Sequence, residues 1–194
     1  MKKAYVLIFE GYADWELGNV LSELRRLGKI EVVSVGFTQN NVLSMGGLKV
    51  IPDIIISQVP LEDVLIFIIP GGYLWEEENP SDELKTFLNQ LVESEIPVAA
   101  ICAGTTVLGK ANILQGKRHT SNSQKYLTKM VPDYKDSANY IDKLSTRDRH
   151  VITASGLGSV EFTREILEEL NIASPEIRKI WFDAFKHGQY PENT

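Results

Sequence analysis

The segment PVAAICAGTTVLG, residues 97–109, decides the fold because a buried strand runs directly into a helix there. PVAAI is an apolar run typical of a strand that is covered on both faces, and residues 105–111 begin a helix. Between them lies Cys102, the only cysteine of the chain, which therefore has no internal disulfide partner. Cys102 is either an ordinary small core residue or a thiol placed there for its chemistry.

On either side of this segment the chain alternates strands and helices, as a parallel α/β sheet requires. Residues 4–9 and 30–36 form apolar runs, and between them apolar residues recur at helical spacing after Asp14, a plausible cap, and end at Gly28. The strongest strand signal is DVLIFIIPGG, residues 63–72.

The remaining elements are less regular. We predict a hairpin turning at Gly46-Gly47, a helix over 81–95, a short strand over 117–122, a short helix over 123–130, a strand pair turning at 147–149, and helices opened by Ser159 and by Ser174-Pro175. Together the elements predict one domain over residues 1–194, with an α/β fold built as a flavodoxin-like three-layer sandwich around a mostly parallel sheet.

The overall charge excludes several kinds of partner. The 194 residues carry a formal net charge of -6 with the charges interspersed, which argues against binding to nucleic acid or to an anionic membrane. No apolar run reaches the ~18 residues of a membrane span, and a lone cysteine is more typical of the cytoplasm than of secretion. No glycine-rich nucleotide loop and no metal-ligand spacing are present, so we expect neither cofactor nor metal.

Cys102 stands where strand-to-helix junctions of open α/β sheets form sites. The positive end of the helix dipole and unpaired N–H groups favour a thiolate at this position. Ala103 and Gly104 suit a sharp turn of the nucleophile-elbow type, with cysteine in place of serine. The alternative, a buried and inert thiol, remains open on position alone.

Two further strand ends carry candidate residues. Gly71 and Gly72 follow a buried strand, where their N–H groups either contribute to an oxyanion hole or merely form a turn. Glu16 lies at the edge of the apolar stripe of the first helix, so burial raises its pKa while the dipole lowers it. If burial wins, a protonated Glu16 donates a hydrogen bond to the Cys102 sulfur; otherwise Glu16 is a solvated first-turn acid.

Four motifs in order, ADWE (13–16), IPGG (69–72), AAICAGT (99–105) and TASGLGSVEFT (153–163), resemble the ThiJ/PfpI superfamily, which has the class I glutamine amidotransferase-like fold. The resemblance implies that Cys102 is the reactive cysteine, that Glu16 is hydrogen-bonded to it, and that the N–H groups of Gly72 and Ala103 line an oxyanion site. It also implies a homodimer with the pocket near the subunit boundary.

The chain departs from this family pattern in its histidines. Ala103 stands where PfpI-like members have a histidine after the cysteine, and Asn122 stands where several members have a histidine in a Thr-x-His pattern. His119 lies just upstream. The remaining pocket candidates that we consider are Tyr73, Trp75 and Gly156.

Activities of the superfamily include glyoxalase or deglycase action on reactive dicarbonyls, oxidative-stress sensing, chaperone action and peptidase action. We expect Cys102, poised by Glu16, to act on a small electrophile such as a reactive carbonyl, or to respond to an oxidant. The alternatives are a redox-sensing or chaperone-like module without turnover and a cysteine peptidase. The peptidase is disfavoured because amide cleavage calls for a histidine acid beside the nucleophile.

Overall fold

A seven-stranded sheet runs through the centre of the protein in the computed structural model, which describes residues 2–190. Its strands are β1 (Lys3–Leu7), β2 (Val32–Gly36), β5 (Ile54–Ile55), β6 (Val64–Ile69), β7 (Val98–Ile101), β8 (Ser145–Asp148) and β9 (Val151–Ala154). The strands β3 (Val42–Leu43) and β4 (Lys49–Val50) form a separate two-stranded sheet. The helices are α1 (Asp14–Arg26), α2 (Leu74–Glu77), α3 (Asp82–Glu93), α4 (Gly104–Lys110), α5 (Gln124–Met130), α6 (Ser159–Glu169) and α7 (Pro175–His187).

The sheet order is β5-β2-β1-β6-β7-β9-β8, and every neighbouring pair is parallel except β8 with β9. The chain moves outward from β1 to β2 on one side and from β6 to β7 on the other, so the order reverses between β1 and β6. Ligand sites of open α/β sheets form at the carboxyl ends of strands next to such a reversal. The predicted mostly parallel α/β fold is confirmed.

Helices cover the sheet and bury its apolar strands. Helix α1 packs against α6, which also packs against α7, while α3 packs against α4. The strands β6 and β7 are almost wholly buried, which explains why their sequences are continuous apolar runs rather than alternating ones. Within the described residues, no helix is both long and apolar enough to cross a lipid bilayer.

The start of α1 differs from the predicted cap. The N-cap residue is Ala13, and Asp14 is the first helical residue. The Asp14 carboxylate instead accepts hydrogen bonds from Ser44 Oγ at 2.7 Å and Gly46 N at 3.1 Å. The predicted hairpin exists as β3 and β4, and Asp14 ties its turn to the beginning of α1 because a carboxylate satisfies the unpaired donors of a tight turn.

The predicted strand over residues 117–122 is wrong. This segment makes a single bridge, between His119 and Tyr140. The ladder does not extend, because the N–H groups of Arg118 and Thr120 donate to the side chains of Asp148 and Thr153. The predicted short helix is confirmed as α5 with Ser123 as its cap, and the strand pair is confirmed as β8 and β9. The last helix begins with the Ser174 cap and Pro175 as predicted.

Gly104 allows the bend between β7 and α4 to press against the end of β6. A Cβ atom at residue 104 would lie 2.6 Å from Ile69 O and 2.8 Å from Pro70 O, distances that no real Cβ tolerates. Both obstructing atoms belong to the backbone of the sheet and therefore have little freedom to move. The position of Cys102 thus depends on a glycine two residues later.

We predict that Gly104→Ala lowers the free energy of unfolding by roughly 3 kcal/mol, the upper end of the usual overpacking cost. The matched control is Gly18→Ala in α1, where a new Cβ meets nothing within 4 Å. That change should raise stability by roughly 0.5–1 kcal/mol because alanine is the better helix former. Urea unfolding of both variants measures the difference, and equal stabilities would show that the bend is not tightly packed.

Candidate active site

The carboxyl ends of four strands converge on the sulfur of Cys102. Glu16 arrives from α1 after β1, Gly71 follows β6, Cys102 follows β7, and Gly156 follows β9. A Cβ atom at residue 71 would lie 2.8 Å from Cys102 Cβ and 2.9 Å from Glu16 Oε2, and one at residue 156 would lie 2.9 Å from Cys102 Sγ. The two glycines therefore leave the space that the thiol and the carboxyl occupy.

Cys102 forms a strained elbow. Its φ is 57°, in the left-handed region that residues other than glycine rarely adopt, and its N–H donates to Ala154 O at 2.9 Å. Such a conformation costs on the order of 1–3 kcal/mol and is concentrated at functional sites. The side chain is partly exposed rather than sealed in the core, so the reading of Cys102 as an inert core residue loses its main support.

Asn122 lies beside the sulfur, where several superfamily members carry a histidine. Its Oδ1 accepts a hydrogen bond from Gly156 N at 2.8 Å, which fixes the orientation of the amide. The amide nitrogen therefore faces the thiol, and Nδ2 donates to Cys102 Sγ at 3.3 Å. An amide does not ionise near neutral pH, so Asn122 orients and stabilises the sulfur but supplies no acid or base.

Glu16 is wholly buried, and its carboxyl has two different surroundings. Oε2 accepts a hydrogen bond from Gly71 N at 2.6 Å. Oε1 is a buried oxygen without a hydrogen-bond partner of good geometry among the described residues, and the thiol of Cys102 is the titratable group beside it. The interpretation of Glu16 as a solvated first-turn acid is therefore wrong.

Burial decides the proton affinities of this pair. Desolvation raises the pKa of Glu16 to about 7, although the hydrogen bond from Gly71 N–H and the nearby thiol of Cys102 act to lower it. Desolvation and the neighbouring Glu16 charge raise the pKa of the Cys102 thiol to about 11, against the lowering effect of Asn122 and the Ala103 N–H. The expected standing thiolate is thus wrong: α4 has only seven residues, and its dipole does not offset burial beside a carboxylate.

The predicted oxyanion donors divide into two groups. The N–H of Gly71 is already bound to Glu16, so it is not free for a substrate. The N–H of Ala103 faces the sulfur, and within residues 2–190 the N–H of Gly72 donates to no protein acceptor of good geometry. Of the predicted donors, the N–H groups of Gly72 and Ala103 are therefore the two that no protein oxygen occupies among residues 2–190.

Two predicted pocket residues lie elsewhere. His119 is fully buried, with Nδ1 at 2.7 Å from Lys117 O and Nε2 at 2.6 Å from the hydroxyl of Tyr134, so both ring nitrogens are occupied away from the thiol. Trp75 is a core residue, because its ring packs on Phe9 and its Nε1 donates to Pro70 O.

Tyr73 is 66% exposed beside the Gly72 turn, on the outer side of the site. The sequence analysis missed a hydrogen-bonded pair of side chains on this side of the site. Tyr126 of α5 donates a hydrogen bond to Glu76 Oε1 of α2 at 2.9 Å. Tyr126 follows Asn122 by four residues, and this short separation is the signal in the sequence that places it near the sulfur.

A parallel α/β sheet with a cysteine on a strained strand–helix bend and a buried glutamate beside it defines a class of proteins with a nucleophile elbow. The chain belongs to the DJ-1/PfpI family, whose sequence profile matches residues 2–169. This finding confirms the resemblance drawn from the four motifs.

Individual relatives agree with this assignment. The chain is 36% identical to the uncharacterized protease YdeA of Bacillus subtilis, over 91% of this chain and 87% of that protein. It is 30% identical to protein dj-1beta of Drosophila melanogaster, over 87% and 89% respectively. The crystal structure of a thiJ/pfpI family protein from Bacillus anthracis superposes with a TM-score of 0.90 at 30% identity, covering 97% of this chain and 92% of that one.

The buried carboxyl of Glu16 makes the free energy of unfolding depend on pH. The pKa of Glu16 is about 7 in the folded protein, above its ordinary value near 4.5, so the folded state loses stability as the pH rises through that window. We predict that Glu16→Gln gains stability relative to wild type by roughly 2 kcal/mol between pH 5 and pH 8. Urea unfolding at the two pH values tests this.

Glu83→Gln, at an exposed position in the first turn of α3, is the control and should show no such gain. If the stability difference between Glu16→Gln and wild type is the same at both pH values, Glu16 does not titrate in this range.

Proposed function

We propose that the protein is a cysteine-dependent enzyme that detoxifies reactive carbonyls, with a 1,2-dicarbonyl such as methylglyoxal as the substrate class. The observation that carries the proposal is the unpartnered, buried oxygen of Glu16 beside the Cys102 thiol. A carboxyl with a pKa of about 7 is a suitable base at neutral pH, and the general base for a thiol must lie within reach of its proton.

The first step is addition of the thiol to the aldehyde. Glu16 takes the Sγ proton as the sulfur forms a bond to the carbonyl carbon, and the π electrons of that carbonyl move to its oxygen. The N–H groups of Gly72 and Ala103 stabilise the developing negative charge. Glu16 then returns the proton to this oxygen, which gives a neutral hemithioacetal and restores the carboxylate.

The second step is an internal oxidation and reduction. Glu16 removes the proton from the carbon bonded to sulfur, and the electron pair of that C–H bond shifts toward the neighbouring carbonyl, whose oxygen takes up the hydroxyl proton of the hemithioacetal through solvent. Glu16 then delivers its proton to the former ketone carbon as the thioester C=O bond forms, so the former aldehyde carbon is oxidised and the former ketone carbon is reduced. The product is a thioester of a 2-hydroxy acid, and water hydrolyses it to free Cys102. For methylglyoxal the sum is addition of one water to give lactate, with no external oxidant.

Peptide hydrolysis fits the site less well. The chain has three histidines: His119 is bound to Lys117 and Tyr134, His150 to Glu169, and the ring of His187 lies against Phe182. None of these contacts places an imidazole at Cys102, whereas amide cleavage requires an acid for the leaving nitrogen. We therefore do not extend the word protease, which appears in the names of two relatives, to this chain.

Methylglyoxal consumption tests the carbonyl function. Wild type should consume it with kcat/KM rising as the pH increases through about 7, because Glu16 must be ionised to act as a base. Cys102→Ser should abolish consumption, and Glu16→Gln should lower it by roughly 10²–10⁴-fold and remove the pH dependence.

Glu83→Gln is the matched control and should behave like wild type. Equal consumption by wild type and Cys102→Ser would refute the enzyme function, and a pH profile that survives in Glu16→Gln would assign the base to another group.

A second candidate function is a response to oxidants, which the donors around the sulfur favour. Asn122 Nδ2 and the Ala103 N–H both point at Sγ, where they stabilise negative charge on sulfur. In the reaction with a peroxide, Glu16 takes the thiol proton, the sulfur forms a bond to one oxygen, and the O–O bond breaks. The leaving oxygen is protonated to water, and Cys102 becomes a sulfenic acid.

We expect mild peroxide to add one oxygen atom to wild type by intact-mass measurement, and Asn122→Ala to slow this roughly tenfold through loss of one charge-assisted hydrogen bond. Asn79→Ala, at an exposed position outside the site, should oxidise at the wild-type rate. An unmodified wild-type thiol, or a loss of rate shared by both variants, would count against this function.

A further inference from the structure

The pair formed by Tyr126 and Glu76 has no role in the chemistry described above, yet it joins two segments that flank the thiol. Tyr126 lies four residues after Asn122, in the first turn of α5, and Glu76 lies four residues after Gly72, in α2. The hydrogen bond of 2.9 Å between the two side chains therefore joins the Asn122 side of the site to the Gly72 side.

The backbone around Glu76 is fixed by hydrogen bonds that its neighbours make with the rest of the protein. Trp75 is 1% exposed, and its Nε1 donates to Pro70 O at 3.0 Å. Lys110 Nζ donates to the carbonyl oxygens of Trp75 at 3.3 Å and Glu78 at 3.2 Å. These contacts anchor the four-residue helix α2, so the Glu76 side chain starts from a fixed point instead of from a free loop.

The Tyr126 side is anchored in a similar way. Its backbone N–H donates to Ser123 Oγ at 3.0 Å in the capped first turn of α5, and its ring is partly buried. Burial, the Glu76 carboxylate and, more weakly, the charges of Cys102 and Glu16 all raise the pKa of the Tyr126 phenol, which shows that the phenol lies within electrostatic range of the site. The phenol therefore donates its proton to Glu76 and holds that carboxylate in place.

Among residues 2–190, the ion pairs do not include Glu76, so no cation within 4 Å compensates its charge. Lys110 is directed toward backbone carbonyls beneath α2. Lys125, although next to Tyr126 in sequence, diverges from it because consecutive helical residues point in different directions. The second acid near the sulfur, Glu16, adds a further negative charge when it is ionised, and its Oε1 has no partner of good geometry among residues 2–190.

We propose that Glu76 is a specificity-determining residue, positioned by Tyr126, which admits uncharged dicarbonyls to Cys102 and repels anionic 2-oxo acids of similar size. This substrate class rests on the proposed function, because it names which carbonyl compounds the enzyme accepts. Selection by charge at the thiol needs no turnover, so it is measurable separately. A negative charge held beside the thiol acts on every approaching anion through Coulomb repulsion, which added salt screens.

Two alkylating reagents of equal reach test the selection at the thiol itself. Iodoacetamide is neutral and iodoacetate is anionic, and both form the same type of bond to Sγ. The ratio of their rate constants on the protein, divided by the same ratio on a short neutral peptide thiol, gives a normalised preference. We expect wild type at low ionic strength to prefer the neutral reagent, and added salt to reduce that preference.

Three variants test whether the preference for the neutral reagent depends on Glu76 and Tyr126. Glu76→Gln should reduce it by roughly three- to tenfold. Tyr126→Phe should reduce it by a smaller factor although the net charge is unchanged, because the carboxylate loses the group that holds it. Glu83→Gln changes the net charge by the same amount at an exposed position on α3 and should leave the preference unaltered.

Three results would overturn the proposal: a wild-type preference equal to that of the peptide, an equal effect of Glu76→Gln and Glu83→Gln, or no effect of Glu76→Gln at low salt. An unchanged preference in Tyr126→Phe would remove Tyr126 from its positioning role.

A turnover experiment separates this proposal from the proposed function. Glyoxylate, an anionic aldehyde, should inhibit methylglyoxal consumption weakly in wild type and several-fold more strongly in Glu76→Gln. If wild type does not consume methylglyoxal, the proposed function fails while the alkylation result still decides the selection by charge. Equal inhibition of the two proteins by glyoxylate would contradict the selection even in an active enzyme.

Discussion

The proposed chemistry depends on a single contact, between the buried carboxyl of Glu16 and the thiol of Cys102. Each group alone would hold its proton more tightly than usual because burial disfavours the charged form. Together they behave as one site with one readily lost proton, since a charge on either makes a charge on the other more costly. The sulfur is therefore not a standing thiolate but a thiol with its base already in place.

The sheet is what brings these two groups together. Glu16 and Cys102 are 86 positions apart in the sequence, yet both follow parallel strands whose carboxyl ends meet at the same edge of the sheet. Gly71 lies between them and donates its N–H to the carboxyl, so the turn after β6 serves as a brace for the acid. Asn122 and Gly156 fix the sulfur from the other side. Residues from several separate elements of the fold thus position one thiol.

Much of this arrangement follows from the sequence, and the failures have physical causes. The apolar runs predict the parallel strands, and the elbow is visible because small residues follow Cys102 directly. The thiolate expectation failed because sequence position reveals the helix dipole but not the depth of burial, which here is the larger effect. The predictions for His119 and for the strand over residues 117–122 failed because side chains distant in sequence, Tyr134 and Thr153, bind these residues. The prediction for Trp75 failed because its indole is buried and donates to the backbone carbonyl of Pro70, which the sequence does not show.

The most direct test of the central claim is the titration of the Glu16 carboxyl itself, followed by NMR on protein labelled with carbon-13 at glutamate side chains. The Glu16 signal is identified by its loss in Glu16→Gln. The account requires a midpoint near pH 7, the value that burial imposes on this carboxyl. A midpoint near 4.5, the ordinary value for glutamate, would show that the carboxyl is solvated and does not govern the thiol.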